Sequence, residues 1–511
     1  MNKSTLVLAA VILLGSGLLF DACNNKAPVT EETELPPTTN GLPRDVLNSC
    51  TVSPSDFDTW FVSGKASENG VVQAANSVTF PHNDNCDFYQ WSHHMFLWVT
   101  STLPSEGVTV MESPLFYTVT PEDASGKRHL IPNKVGTPLR VNSTITQKGP
   151  RGKRLVINAL GEIVDSEENQ ATGDGLLTQT GSLVYYITLV NDVYAFYLEG
   201  AKAGKLNANQ FPTTAGARDS ICSYARSKGV ALPDSNALAM ELKTSWVEVN
   251  NLPNASNYVT INAVIPTYDK SNPNKWIPTG DTTARLALIG IHVVGSVAGH
   301  PEMVWSTFEH NKNTPNAEYS YVTNQNTVKT VPPDGGTGWL LTNDPSDANP
   351  NQSHIKVNGD TLVNAPNFSI SASNTQRTKP WGVLPGLVPN QQDTSASASN
   401  SEVISINNAV NSLLVGNDVR KNYNQLGATW TFGGNPPNGK IYPEDKTSGQ
   451  ASIGTSALAN STMETYFQSG QFINTSCFSC HHGGSPPSLN PNVLSHVFKG
   501  IQVPIPPPLV K

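Results

Sequence analysis

The chain carries two kinds of hydrophobic pattern, and the helical kind is clearest in "CDFYQWSHHMFLWVTS" at 86–101. There Phe88, Trp91, Met95 and Trp98 are separated by three, four and three residues, so they share one face of a helix. Because the aromatic mass is concentrated on that face, we predict that this helix packs in the core.

Three further segments have spacings that favour helix. Leu238, Leu242, Trp246 and Val249 are separated by four, four and three residues in "ALAMELKTSWVEVNN". Helices are also predicted over 401–414 and 458–467. The last of these would lead directly into a cysteine motif.

Strand patterns dominate elsewhere. In "SLVYYITLVNDVYAFYLEG" two apolar runs flank Asn191 and Asp192, which predicts a hairpin with a tight turn at these residues. A second hairpin is predicted over 153–165. The segments 257–269 and 283–297 are predicted to be paired strands, and the second is apolar enough to be central in a sheet.

These elements predict an α+β fold: a β-rich main body with several helices and a small helical C-terminal segment docked on it. The expected organisation is a signal peptide (1–23), a flexible Pro-, Thr- and Glu-rich linker (24–46), the main body (47–430) and the C-terminal segment (431–511). Within the body, 311–429 is expected to form mainly irregular surface chain.

The first 23 residues resemble a bacterial lipoprotein signal. Lys3 precedes an apolar run from Leu6 to Phe20, which is too short for a dedicated membrane span. Cys23 follows and would become the lipidated first residue, although Asp21 stands where a small or apolar residue is usual. An ordinary cleaved signal is the alternative. Both interpretations predict export to the periplasmic or cell-surface side of a bacterial membrane, with a lipid anchor in the first case.

The amino-acid composition limits the kinds of partner that the protein can bind. Of 511 residues only 14 % are charged, with a formal net charge of −8, whereas Gly (39) and Pro (38) are frequent. Low charge with many turn residues favours short strands, and 38 % hydrophobic residues suffice for a folded core. Because an acidic surface does not attract nucleic acid, we expect no nucleic-acid partner.

The run Cys477-Phe478-Ser479-Cys480-His481 is the C-x-x-C-H pattern of covalent haem attachment. Two intervening residues set the distance between the thiols so that both can add to the haem vinyl groups, and the adjacent histidine is held beneath the iron as an axial ligand. The pattern predicts one covalent haem c. Zinc or another metal and a redox dithiol remain alternatives, although a four-ligand zinc site would need two further ligands.

The sequence does not single out one ligand for the other face of the iron. No methionine follows Met463, and His482 adjoins the proximal histidine, so His496 is the candidate distal ligand. An upstream ligand such as Met463, His310 or His292 stays open, as does a five-coordinate iron. Histidine at both positions would favour electron transfer, whereas an open face would permit peroxide or small-ligand chemistry.

Cys50, Cys86 and Cys222 are the cysteines left over. An oxidising compartment permits one disulfide among the three, and Cys50 with Cys86 is the first choice. Three free thiols are the alternative.

The motif lies only 30 residues from the end of the chain, too few to enclose a haem whose faces need apolar walls. The main body is therefore predicted to supply much of the pocket. The segment 289–315, rich in His, Glu and Trp, could line the haem or form a metal or acid/base site. It could equally be a central strand and an aromatic turn with inert histidines.

Three blocks, "LANSTMETYFQSGQFINTSCFSCHHG", "ALIGIHVVGS…HPEMVWSTFEHN" and "ELKTSWVEV", together resemble the large cytochrome c family proteins of exported bacterial oxidoreductase systems. In that family one C-x-x-C-H lies near the C-terminus. The resemblance covers scattered blocks within 86–500. It implies a single covalent haem on Cys477, Cys480 and His481 and a periplasmic or surface redox role, and it implies no substrate.

Three functions fit the sequence. The first is a membrane-tethered mono-haem c-type cytochrome that exchanges electrons with a redox partner protein. The second is an enzyme, a haem-dependent oxidoreductase of peroxidase-like or oxidase type, whose main body forms a substrate pocket. The third is a binding lipoprotein with an accessory haem. Because the chain has no G-x-S-x-G, P-loop or dinucleotide fingerprint, electron transfer is placed first.

Overall fold

The computed structural model describes residues 41–120, 127–141, 156–157, 163–165, 174–358, 361–382, 395–468 and 475–508. Residues 37–511 form one compact unit. The predicted signal peptide, including Cys23, and 24–40 of the predicted linker lie outside the described residues. None of the described helices has the length and apolar character needed to cross a bilayer.

The described strands are β1 (Thr102–Leu103), β2 (Val108–Thr109), β3 (Phe116–Val119), β4 (Leu130–Pro132), β5 (Leu139–Arg140), β6 (Val156–Ile157), β7 (Ile163–Asp165), β8 (Asp174–Gly175), β9 (Tyr185–Asn191), β10 (Met240–Glu248), β11 (Thr260–Asp269), β12 (Lys275–Val297), β13 (His300–His310), β14 (Tyr319–Val322), β15 (Val328–Val331), β16 (Ile355–Asn358), β17 (Thr361–Asn364), β18 (Tyr423–Trp430) and β19 (Ile453–Gly454). The described α-helices are α1 (Pro54–Thr59), α2 (Asn85–Val99), α3 (Asp192–Lys202), α4 (Ala215–Ser227), α5 (Ala396–Leu413), α6 (Cys477–Cys480), α7 (Pro491–Leu494) and α8 (His496–Gly500).

Thirteen of the described strands form one sheet with the central order β19-β18-β13-β12-β10-β9-β3-β4. Every pair along this path is antiparallel. The long strand β12 pairs with β10 on one edge, and with β11 and then β13 on the other. The predicted β-rich α+β class is confirmed, as is the pairing of β11 with a central β12.

One face of the sheet is apolar and is covered by α2 and α5. The carboxylate of Asp84 caps α2 by accepting from the backbone N–H groups of Cys86 and Asp87. Phe96 of α2 stacks on Phe308 of β13 with ring centroids 4.3 Å apart. The four residues that predicted this helix are all buried, so its place in the core is confirmed.

The opposite face carries a row of polar side chains across neighbouring strands. We call it the polar strip; it consists of Thr188, Lys243, His292 and Thr307. Apolar clusters flank it, with Val294 and Trp305 on one side and Tyr186 and Ile289 on the other. Because strand side chains alternate between faces, this row is a property of the register and not of any one strand.

The described part of the chain from 460 onward lies on this second face. The backbone N–H of Ser461 donates to Glu309 Oε1 at 2.6 Å, and Ser495 Oγ donates to Glu241 Oε2 at 2.7 Å. The pairing of β18 with β19 also crosses the expected boundary at 430/431. The C-terminal segment thus packs on the body as one continuous structure with it.

The N-terminal part of the body is held by a disulfide between Cys50 and Cys86, as predicted, and Cys222 is free. The body begins earlier than the predicted residue 47. Leu42 and Val46 are buried, and Val46 forms an antiparallel bridge with Thr323.

The predicted helix over 237–251 is wrong, because this segment forms strand β10. A spacing of four residues is even, so Leu238, Leu242 and Trp246 fit a strand period of two as well as a helix. Leu242 and Trp246 pack in the apolar core beneath α2 and α5. The segment forms a strand because it pairs with β9 on one edge and with β12 on the other.

The predicted hairpin at Asn191 and Asp192 is also wrong. Asn191 ends β9, and its side chain caps α3 by accepting from the backbone N–H of Tyr194 at 3.0 Å. Most of α3 is buried, so its sequence shows a continuous apolar run without a helical period.

The predicted helix over 458–467 is wrong apart from a 3₁₀ turn at Thr465–Phe467. The side chains of the segment bond to the sheet: Asn460 Nδ2 donates to Thr307 Oγ1 at 2.8 Å, and the Thr462 and Ser245 hydroxyls are 2.7 Å apart.

The remaining predicted elements are observed. The helix predicted over 401–414 begins earlier, as α5, where Ser395 Oγ accepts from the N–H of Ala398. β6 pairs with β7 as the hairpin over 153–165 requires, and its turn lies outside the described residues. The segment 311–429 is largely irregular but contains β14 to β17 and α5.

Candidate functional site

The C-x-x-C-H motif lies on α6, whose single turn carries both cysteines. Cys477 and Cys480 are three positions apart, so their side chains leave the same side of the helix. Neither cysteine is in a disulfide, and both residues are half-buried. Phe478 between them is fully buried, and its ring centroid lies 6.0 Å from that of Trp305 of β13. The apolar residue of the motif therefore holds α6 on the sheet.

Polar contacts fix the start of α6. The backbone N–H of Ser476 donates to Ser479 Oγ at 3.0 Å. Lys379 Nζ donates to the carbonyl of Thr475 at 3.0 Å. Burial lowers the pKa of Lys379 to about 8, and the negative charge of Glu464 opposes this shift in part. A buried amine thus lies directly behind the chain that enters the motif.

The ring of His481 has one defined tautomer. Its Nδ1 lies 2.9 Å from the carbonyl oxygen of Leu494, which can only accept, so Nδ1 carries the proton. Burial and the positive charges of His496 and Lys243 lower the pKa of His481 well below its ordinary value. The imidazole is neutral and its Nε2 lone pair is the one that can bind a metal. Trp305 covers it, with ring centroids 4.2 Å apart.

His496 packs against His481, with ring centroids 4.4 Å apart and planes tilted by 36°. It also hydrogen-bonds to the backbone of Cys480, and burial followed by the charge of Lys243 lowers its pKa to about 4. Two imidazoles on opposite faces of one metal, with bonds of about 2 Å each, have ring centres about 6 Å apart. Distal binding by His496 stays a prediction, and it requires the two rings to separate by about 2 Å.

The upstream candidates for the distal position lie in different surroundings. His310 stacks on Tyr258 with ring centroids 3.8 Å apart, and Met463 is buried in an apolar cluster. His292 lies in the polar strip, where its Nε2 is 3.0 Å from Glu464 Oε1. The segment 289–315 forms the end of β12 and all of β13, and it contributes Trp305 to the site.

Two carboxylates, those of Glu464 and Glu241, lie next to the polar strip. Glu464 Oε2 accepts from the N–H of Asn460 at 2.9 Å, and the Glu464 and His292 side chains keep 29 % and 14 % of their exposure. Burial would raise the pKa of Glu464, but His292 and Lys243 outweigh it and lower the value to about 2. Burial raises the pKa of Glu241. The strip is therefore a partly accessible charged site under the C-terminal segment.

Sequence reasoning found only part of this site. Glu241 and Lys243 lie on the face that carries the polar strip, whereas Trp246 of the same strand belongs to the apolar core on the other face. Glu464 and Lys379 were missed. Glu464 lay in a predicted helix and Lys379 in a segment expected to be irregular, so no periodic signal could have placed either beside the motif.

The alternatives to haem are weakened by the local chemistry. Burial raises the pKa of the Cys477 thiol, with the charge of Glu464 adding to the shift, whereas redox-active dithiols have lowered pKa values. Within the described ranges, no three His, Cys, Asp or Glu side chains are grouped so that they could share a metal ion. A structural zinc site of the usual four ligands is therefore disfavoured.

Comparison of the chain with models of protein families, with curated proteins and with solved structures finds no match.

Proposed function

We propose that this protein is an exported mono-haem c-type cytochrome that transfers electrons to or from a redox partner protein. Its signal-like N-terminus supports export, and Cys23 supports a lipid anchor on the periplasmic or cell-surface side of a bacterial membrane. The single observation that carries the proposal is the hydrogen bond between His481 Nδ1 and the Leu494 carbonyl, next to two cysteines on one helical turn that form no disulfide.

The donor set fits a covalent haem. Cys477 and Cys480 would hold it through thioether bonds, and His481 through Nε2. A bound haem supplies a one-electron change at its iron. The Leu494 carbonyl fixes the orientation of His481 and makes Nε2 more basic, while Trp305 keeps water from one side of the ring. The residues of the main body therefore form part of the pocket.

Covalent attachment is tested by producing the full chain in a bacterium that carries the haem c attachment machinery. We expect haem to remain on the denatured protein, with the reduced pyridine spectrum of thioether-bound haem. Cys477→Ala and Cys480→Ala should each lose one thioether bond and the double variant both. Cys222→Ala, which removes a free cysteine away from α6, is the matched control and should retain the haem. Wild-type protein without covalent haem would refute the proposal.

A second candidate is a haem-dependent oxidoreductase, and the partly accessible polar strip beside His481 favours it. The two candidates differ in the state of the iron. A low-spin spectrum that does not change with carbon monoxide or peroxide supports electron transfer. A high-spin spectrum that changes with either ligand supports the oxidoreductase, because a substrate then has an open position at the iron.

A further inference from the structure

The polar strip contains a lysine whose position is unusual. Lys243 lies on β10 in the middle of the sheet, directly opposite His292 of β12 and Thr188 of β9. Its side chain is half-buried beneath the C-terminal segment. Among the described residues no carboxylate lies at ion-pair distance from its ammonium. Its counter-charges among the described residues, Glu241 and Glu464, lie beyond ion-pair distance, so the ammonium can still donate to an anion.

The two nearest carboxylates are already used by other donors. Glu464 accepts from the His292 ring and from a backbone N–H, and Glu241 accepts from the Ser495 hydroxyl at 2.7 Å. Both feel the charge of Lys243 without pairing with it. Within the part of the chain that the structure describes, no carboxylate therefore pairs with the ammonium, which leaves its donors for a bound group.

The position of Lys243 relates it to the haem motif. Its charge acts on His481 and on His496, the two imidazoles that pack against each other beside α6. An anion bound by Lys243 would therefore lie between the sheet and the motif. Two hydroxyl-bearing residues in the same row, Thr188 and Thr307, give this place a polar floor.

We propose that the ammonium of Lys243 binds a carboxylate group between the sheet and the C-terminal segment. The carboxylate is either a propionate side chain of a haem held by the motif or a small free carboxylate. The first source rests on the haem function proposed above, and the second does not. An ammonium suits a single carboxylate because it is a compact point charge with three donors on a flexible stem.

The experiment measures thermal unfolding of the haem-free and the haem-loaded full chain in sodium propionate and in sodium chloride at equal ionic strength. A ligand that binds only the folded state raises the midpoint as its concentration rises. The variants are Lys243→Gln, which removes the charge, and Lys243→Arg, which keeps it. Lys275→Gln, on an exposed lysine of the same sheet, is the matched control. Circular dichroism establishes that each variant folds.

In the haem-free chain we expect propionate to raise the midpoint relative to chloride for wild type, Lys243→Arg and Lys275→Gln, and not for Lys243→Gln. If haem supplies the carboxylate, the loaded wild type no longer responds to propionate, and Lys243→Gln lowers the reduction potential more than Lys275→Gln does. If a free carboxylate is the ligand, the loaded protein responds as the haem-free chain does.

An equal response of Lys243→Gln and Lys275→Gln would overturn the inference, and so would no response in wild type together with an unchanged reduction potential in Lys243→Gln. These outcomes are separate from the fate of the proposed function. Failure to attach haem, with the propionate response intact, would refute the cytochrome and leave the carboxylate site standing.

Discussion

The buried ion pair between Glu309 and Arg377 provides the sharpest test of how the C-terminal segment is held on the sheet. Glu309 is fully buried and the Arg377 side chain keeps 6 % of its exposure, with Arg377 Nη2 3.0 Å from Glu309 Oε2. Glu309 also accepts from the backbone N–H of Ser461 at 2.6 Å and from the Asn313 amide at 3.3 Å. One carboxylate thus joins β13, the segment around 377 and the chain leading to α6.

Replacing Glu309 with alanine leaves the Arg377 charge buried and several donors unsatisfied. Removal of one partner from a buried pair costs about 3–5 kcal/mol of unfolding free energy. The matched control is Asp281→Ala, because Asp281 pairs with Arg140 at 3.1 Å while both side chains are more than half exposed, at 51 % and 61 %. An exposed pair contributes about 0–1 kcal/mol, so the two variants should differ by at least about 2 kcal/mol.

Urea denaturation followed by tryptophan fluorescence measures the free energies of unfolding. A second readout, on the haem-free chain, is the alkylation rate of the peptide that carries Cys477 and Cys480, which should rise in Glu309→Ala as the Ser461 anchor is lost. The double variant Glu309→Leu with Arg377→Met should recover much of the stability, since it removes both charges. The reasoning is refuted if Glu309→Ala costs less than about 1 kcal/mol, or no more than Asp281→Ala.

Three other predictions concern the body. Burial lowers the pKa of His93 to about 3, so the folded state resists protonation of this imidazole. The stability that neutral His93 contributes is present above pH 6.5, the ordinary pKa of histidine. It is lost at about 1.4 kcal/mol per pH unit as the pH falls toward 3. His93→Phe should flatten the stability profile in that window, and an unchanged slope contradicts the assignment. Replacing Cys50 and Cys86 by alanine opens a loop with a sequence separation of 36 and should cost about 4 kcal/mol in urea denaturation; a cost near zero would count against it. Asn191→Ala removes three buried hydrogen bonds and should cost about 3 kcal/mol by the same assay, whereas a loss under about 1 kcal/mol would show that capping of α3 is unimportant.

The fold could be predicted where one local signal decided the element. The spacing of the large apolar residues from Phe88 to Trp98 located α2, and the apolar run of β12 placed that strand at the centre of the sheet. Prediction failed for segments whose apolar residues fit both the helical period and the strand period, or neither of them. β10 matched a helical spacing of four residues, and α3 is buried nearly all round, so neither sequence carried the information that chose its structure.

The candidate site divides in the same way. Cys477, Cys480 and His481 were found because their chemistry depends on adjacency in the chain. For Trp305 the sequence left two alternatives open, because the segment 289–315 could line the haem or be an inert strand, and Lys379 was not assigned at all. These residues lie 176 and 102 positions before His481. Such contacts depend on the packing of the C-terminal segment, which leaves no trace in local spacing.

The sequence by itself determined the attachment motif, the signal-like N-terminus, the mixed α and β character and the helices α2 and α5, because each of these depends on neighbours along the chain. Only the tertiary structure decided that Lys243 and His292 form one row on the sheet, and that this row lies beneath the motif. The physical reason is register: a shift of one residue in β10 or β12 would turn these side chains to the opposite face, and only the pairing of distant strands fixes it.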